Sequence, residues 1–333
     1  PDQIAALARE IRSAFGVKDT LSLTVEIDPR YLEDETLQAL TAAGMSRAVL
    51  SVQDFDPIVQ KAIGRQQSLD ETSACIARLR SAGVKCSCVA MLYGLPDKCR
   101  ERMLATLDTV AALAPDRIAL SGYAHVPWMA KRQRMISESC LPSAEARLDV
   151  FLAGAARLQA SGYRGVGIDH FARDGDPLAS AAAAGTLRRT FSGYSGDASD
   201  ALIGFGASAI SRFPQGFVQN ALQTGTYVAL VEEGRSAGKR GAALNLEDRI
   251  RGRAIEMLMC DFKIDLKALR LEFGDFVSVL DGGVRAARDR FGNFVECNSS
   301  VLTIRSGGQV LARLVARLFD AHSATSVRMG HAI

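Results

Sequence analysis

The chain has 333 residues, 48% of them hydrophobic and 23% charged, a balance that excludes disorder over most of its length. Forty Lys and Arg against 37 Asp and Glu leave a net charge of +3 with no long run of one sign, so there is no electrostatic footprint for nucleic acid. No run approaches the roughly 18 apolar residues of a membrane span, and seven irregularly spaced cysteines without a CxxC suit a reducing, cytoplasmic setting rather than a disulfide framework.

Residues 1–15 read as an amphipathic helix with Ile4, Leu7, Ile11 and Phe15 on one face, not as the continuous apolar core of a signal peptide. Strands are then predicted at 21–27, 48–52, 86–92, 117–121 and 165–168, with helices at 34–43, 70–82, 100–114 and 144–161 between and among them. Such alternation specifies βα units and a parallel sheet, whose strands are covered on both faces and therefore read as near-continuous apolar runs. The pattern alone leaves an open doubly wound sheet and a closed barrel as alternatives. Gly44, Gly83 and Gly162 each fall just past a helix and before a strand, where a left-handed residue ends a helix. After residue 215 the character changes. An amphipathic helix over 245–259 with Asn245 as its cap is followed by two shorter helical patterns, a turn at Gly292-Asn293 and a final helix over 309–322. The reading is therefore two domains, 1–215 α/β and 216–333 mostly helical with a hairpin, in the manner of a winged helix.

Active sites of parallel α/β proteins gather at the carboxyl ends of the strands. The first strand ends in Glu26-Ile27-Asp28-Pro29-Arg30, which suits a cationic or hydroxylated ligand as well as it suits a helix cap with an ion pair. The second ends in Gln53-Asp54, with Arg65 one short helix later. Amide and carboxylate there suit ribose hydroxyls or an ammonium, and the guanidinium suits a ligand carboxylate. The third leads into Tyr93-Gly94-Leu95-Pro96 and the fourth into Tyr123-Ala124-His125-Val126-Pro127. The fifth leads into Asp169-His170, an ordinary structural pair or a proton carrier. Gly204-Phe205-Gly206-Ala207-Ser208-Ala209 satisfies the dinucleotide fingerprint by spelling but lacks the acid about 20 residues on, so a nicotinamide enzyme is set aside.

Taken in order, Val25 to Arg30, Ser51 to Phe55, Tyr93 to Pro96, Tyr123 to Pro127, Gly167 to Ala172 and Gly206 to Ser211 resemble the oxygen-independent coproporphyrinogen III oxidases, nearly end to end. The related haem chaperones share the Glu-x-Asp-Pro and Gln strands but differ where this chain reads Gly-Ile-Asp-His-Phe-Ala. The resemblance implies a partial radical S-adenosylmethionine (β/α)6-type barrel followed by a helical domain. It implies an oxidoreductase of haem biosynthesis, in which a [4Fe-4S] cluster cleaves S-adenosylmethionine and the resulting radical takes a hydrogen from a propionate. That propionate loses CO₂ to become a vinyl, twice over, giving protoporphyrinogen IX. Its S-adenosylmethionine contacts fall on Glu26, Gln53, Arg65, Ala124 and Ile210, and on Ala90, where the family has an aspartate. Propionate contacts are open among Arg30, Arg47, His125 and His170, and no catalytic residue is singled out.

The resemblance further implies that the family's three-cysteine motif and first barrel strands lie upstream of Pro1. On that expectation this chain holds no metal ligands, belongs to a longer protein and is inactive by itself. Cys86-x-Cys88 supplies two thiols on one strand face and no third, short of the three that the cluster takes. The implied partners are coproporphyrinogen III and a reduced electron-donor protein, with the chain monomeric. The missing acid at Ala90 keeps a second reading open, a non-catalytic porphyrin- or haem-binding paralogue or chaperone, and a genuine gene truncation would leave a third, a stand-alone structural or interaction protein that has lost its radical chemistry.

Overall fold

In the computed structural model, residues 1–17, 22–84, 86–97, 99–191 and 193–322 are described. Contacts divide the described residues into two units, the first running from Pro1 to Ser180 and the second from Ala181 onward.

The first unit is the expected βα series: α1 (Asp2–Phe15), β1 (Leu23–Ile27), α2 (Asp34–Ala42), β2 (Met45–Gln53), α3 (Pro57–Ile63), α4 (Leu69–Ser81), β3 (Cys86–Tyr93), α5 (Arg100–Ala112), β4 (Arg117–Gly122), α6 (Ala144–Ala160), β5 (Arg164–Val166) and β6 (His170–Ala172). Pro57 at the first turn and Asp56 accepting from the Ile58 and Val59 amides start α3, the short helix expected between Gln53 and Arg65. Ser68 and Glu71 close a capping box on α4. Gly44, Gly83 and Gly162 take φ of 99°, 80° and 87°, the left-handed helix stops expected of them.

β1 to β4 pair in parallel in that order. Leu50, Val52, Val89, Met91, Ile118 and Leu120 point to one face and are fully buried, with Leu107 of α5 and Gly154 of α6 laid against Leu120. The opposite face carries Glu26, Val49, Ser51, Ala90 and Ala119, and most of these are only partly covered.

One expectation fails here. The run at 165–168 was to be a parallel strand beside β4, yet the sheet order is β1-β2-β3-β4-β6-β5. β6 enters antiparallel between β4 and β5, and the two short strands form a hairpin whose turn is 167–169, with Gly167 at φ 57°. A local apolar run reports burial but not which neighbour a strand takes, and the glycine that permits the hairpin is indistinguishable by spelling from a helix stop.

α7 (Pro177–Ala183) leads into the second unit, comprising β7 (Arg188–Thr190), β8 (Gly193–Ser195), β9 (Ile210–Phe213), β10 (Gly216–Asn220), α8 (Thr224–Glu232), β11 (Gly238–Ala243), α9 (Leu246–Asp261), β12 (Lys263–Asp265), α10 (Leu266–Phe273), α11 (Asp281–Phe291), β13 (Val295–Cys297), β14 (Val301–Ile304) and α12 (Ala312–Ala316). The contact boundary precedes the change of character at 215. Glu256 of α9, itself buried, takes bonds from Arg188 (3.2 Å), the Arg189 amide (3.2 Å) and Arg253 (2.7 Å), which fastens 188–190 to the helical part. β9, β10 and β11 form one antiparallel sheet, and β12, β14 and β13 another beside helices α9 to α11. The long final helix also fails: α12 spans only Ala312–Ala316, with single 3-10 turns on either side that bring the fully buried Phe319 against Gly283.

Candidate functional site at the strand ends

The carboxyl ends of β1 and β2 are joined by one guanidinium. Arg65 Nη1 donates to Asp28 Oδ2 (3.0 Å), and its Nη2 donates to the Ser51 carbonyl and to Gln67 Oε1 (2.9 Å). Asp28 lies two residues beyond Glu26 and Ser51 two residues before Gln53, so Arg65 stands between the two strand ends that carry those side chains. Asp28 also accepts a two-pronged bond from Arg30, Nε to Oδ1 at 2.9 Å and Nη2 to Oδ2 at 2.6 Å. The Arg30 fork first, with the Arg65 guanidinium behind it, holds the Asp28 carboxyl at about 2, well below the usual carboxylate range.

Behind Arg65 runs a buried polar relay that spelling did not reveal. Gln60 Nε2 donates to the carbonyls of Asp54 (2.9 Å) and Gln67 (2.6 Å), the Gln67 amide returns a bond to Gln60 Oε1 (3.2 Å), and Thr106 of α5 donates to Asp54 Oδ1 (3.2 Å). Buried amides are stable only when their donors and acceptors are matched, and this matching fixes the loop that presents Arg65. A Gln-x6-Gln spacing on an otherwise apolar helix flank was the available signal.

Gln53 is held at φ 68°, with the Asp54 amide bonded back to the Val52 carbonyl at 2.9 Å, a three-residue turn at the very end of β2. A non-glycine residue there costs about 1–3 kcal/mol, and such strain persists where the surroundings over-determine it.

The register places the remaining residues. Ser51, Ala90, Ala119 and His170 form one cross-strand row on the less covered face, and Glu26 stands one row lower beside Val49. His170 Nδ1 lies 2.8 Å from Oδ1 of the buried Asp169, and the Asp169 carbonyl accepts from the Leu120 amide (2.8 Å), so the hairpin turn opens at the same end as the parallel strands. His170 thus reaches this end from the start of an antiparallel strand rather than from the exit of a parallel one. His125 pairs with Tyr123 Oη (3.1 Å) just past β4, and Gln133 Nε2 donates to the Ala124 carbonyl (3.1 Å) while its Oε1 accepts from the Val126 amide. Below these exits, buried Arg147 of α6 donates Nη2 to the Tyr123 carbonyl (2.7 Å), and burial pushes its guanidinium below the ordinary arginine value. Its Nε comes so near Gly94 that a Cβ there would sit 2.9 Å away, and Gly94 stands at φ 77°.

Arg47 does not join this group, and Arg30 joins it only through Asp28. Arg47 sits beside Thr24 and Cys86 in the first half of β2, about 20 Å of strand before Gln53. Arg30 is committed to Asp28 and to the Gln66 carbonyl (3.3 Å). Ile210 opens β9 of the second unit, half-buried and paired with Gln219.

Glu26 is exposed and makes no hydrogen bond or ion pair among the described residues, and Arg65 Nε is buried without a partner. The exposed Glu26 carboxylate fits an ammonium or a hydroxyl of a ligand, while Ala90 offers the ligand no acceptor. No group of three or more His, Cys, Asp or Glu placed to hold a metal occurs among the described residues.

Residues 1–110 match the Radical SAM superfamily, which the strand-end arrangement of β1 to β4 accommodates. The chain is 42% identical over all 333 residues, and 74% of the relative, to an oxygen-independent coproporphyrinogen III oxidase of Cereibacter sphaeroides. It is 43% identical over 321 residues, 96% of this chain and 71% of the relative, to that of Paracoccus denitrificans. The solved coproporphyrinogen III oxidase of Escherichia coli, described as a radical SAM enzyme, superposes with a TM-score of 0.91 at 32% identity, over 96% of this chain and 74% of that one. By fold and sequence the chain is therefore a radical SAM protein. Within that class it belongs to the oxygen-independent coproporphyrinogen III oxidase family, and it spans about three quarters of the length of these relatives.

Proposed function

We propose that the protein carries out oxidative decarboxylation of two propionates of coproporphyrinogen III to vinyls in haem biosynthesis, using S-adenosylmethionine. The observation that carries this reading is the Arg65 guanidinium joining the ends of β1 and β2 through Asp28 and the Ser51 carbonyl, in a chain 42% identical throughout to an oxidase of that name. Bound S-adenosylmethionine supplies the hydrogen-abstracting chemistry. Glu26 is assigned its ammonium or a ribose hydroxyl, and Arg65 and Gln53 its other polar ends. Ala124 is assigned backbone or apolar contact with adenine. His125 and His170 are the propionate candidates at the strand ends, with Arg30 and Arg47 secondary because of their placement. The described residues offer no ligand set for the superfamily's [4Fe-4S] cluster, so no step is derived through it.

No described helix is long and apolar enough to cross a membrane. A cytoplasmic monomer served by a reduced electron-donor protein completes the reading, with the region after 215 as a winged-helix-like accessory supported by the β12-β14-β13 sheet and α9 to α11. Ala90 favours one alternative, porphyrin binding without turnover, because a ligand hydroxyl there loses an acceptor worth about 1–3 kcal/mol.

The test is anaerobic incubation of the protein as its gene encodes it, cluster intact, with coproporphyrinogen III, S-adenosylmethionine and a reductant. Protoporphyrinogen IX is expected, and binding of porphyrin with no conversion overturns the catalytic reading in favour of the alternative. Glu26→Ala is expected to weaken S-adenosylmethionine binding in equilibrium dialysis by about tenfold, as loss of a charged hydrogen bond does.

A further inference from the structure

Between β4 and α6 the chain leaves the sheet as a loop whose base is fixed and whose tip is not. At the base, Tyr123 is buried against Val59 and Leu95, and Ile136 and Leu141 pack on that cluster. Gln133 pins the Ala124 carbonyl and the Val126 amide, and the amides of Met129 and Ala130 both bond to the Val126 carbonyl at 2.9 Å. At the tip, Trp128, Met129 and Met135 are 39%, 74% and 85% exposed. Among them stand exposed Lys131, Arg132 and Arg134. Lys131 and Arg132 have no ion pair or hydrogen bond among the described residues, and Arg134 donates only to the Pro127 carbonyl (3.3 Å).

Large apolar side chains left in water beside uncompensated cations describe a ligand that is apolar in its middle and anionic at its rim. We infer that the Trp128 to Met135 loop tip grips the substrate itself, its apolar side chains against a tetrapyrrole face and Lys131 and Arg132 on peripheral propionates. This rests on the function proposed above and deepens it, since coproporphyrinogen III carries four carboxylates, of which only two react. The loop leaves from the strand end that bears Ala124 and His125, so a substrate held there extends toward the reacting site. An acidic protein is the poorer occupant, because a stable protein interface needs about 800 Å² from each partner and this tip is eight residues long.

Trp128 is the only tryptophan in the chain, so the inference has its own reporter. Coproporphyrin III, the air-stable oxidised form, is titrated into the protein as its gene encodes it, cluster intact, while tryptophan emission, assigned to Trp128 by the Trp128→Phe variant, and the porphyrin's own anisotropy are followed together. The expected result is quenching in parallel with the anisotropy rise, weaker binding of the tetramethyl ester, and about tenfold weaker binding by the Lys131→Glu/Arg132→Glu double variant with unchanged circular dichroism. Replacement of both by the exchanged cations, Lys131→Arg/Arg132→Lys, restores binding. If coproporphyrin binds by anisotropy while Trp128 is unquenched and the double variant binds like the parent, the loop inference falls and the proposed function stands. If the double variant keeps its porphyrin affinity but loses reduction by an acidic electron-donor protein, the tip belongs to that partner and the inference is overturned. If no coproporphyrin binds at all, the proposed function falls together with it.

Discussion

Asp28 serves two arginines at once, and its titration is the most direct handle on the site. Its folded-state value of about 2 lies below that of the unfolded chain, so its contribution is complete above about pH 4 and is lost as pH falls through about 2. Discounted for its partial exposure, that contribution is about 1 kcal/mol. Asp28→Asn is accordingly expected to flatten the acid limb of a stability titration between pH 4 and 2, and an unchanged limb would show that Arg30 and Arg65 do not depend on it. Gly94 makes a second case. Alanine there meets both a left-handed backbone and the Arg147 Nε, and a loss of about 1–3 kcal/mol in denaturant unfolding is expected, whereas alanine at Gly162, left-handed but with open space around its Cβ position, should cost less. At this scale the sequence was partly legible. Polar residues after the first two strands drew attention as strand ends do, but a helix cap with an ion pair read equally well there, and only the family resemblance singled out Glu26, Gln53 and Arg65. That Arg65 bridges two strands through Asp28 and the Ser51 carbonyl depends on a fold-back of the intervening helix that no local pattern encodes.

Among the elements, the parallel strands β1 to β4 were readable because burial on both faces leaves unbroken apolar runs, and their boundaries shifted by only a few residues. The shortest strands were not. β5 and β6 have three residues each, fewer than alternation needs to declare itself. The final stretch misled for a different reason: its apolar residues keep helical spacing, while Phe319 is drawn onto Gly283 and the last turn tightens. The strained turn closing β2 belongs to this scale too. Gln53→Gly is expected to raise the melting temperature by removing a left-handed side chain while lowering S-adenosylmethionine affinity, and a variant that loses stability would mean that the glutamine side chain anchors the turn.

Taken whole, the molecule has two sets of buried contacts, one centred on Leu50, Met91 and Leu120, the other on Leu258, Ile264 and Leu302. Leu50→Ala removes about 2–5 kcal/mol of core packing from the first alone. Native-state hydrogen exchange should then show faster amides through β1 to β4 with β12 and β14 unaffected, and a uniform acceleration would reveal one cooperative block instead. The division near residue 181 rather than 215 was hidden because Arg188 and Arg189 look like surface charges until Glu256 is seen to bind them.

The reversed ribbon of β5 and β6 carries a last consequence. A βα series can grow by adding another copy of its unit only while each new strand runs with the one before, and a strand laid in backwards ends that growth. The bend at Gly167, Ile168 and Asp169 is itself tied down, its Asp169 carbonyl held by the Leu120 amide and its carboxyl beside His170, so what it offers next to the strand ends is a fixed set of polar groups and not a loop that can lengthen at will.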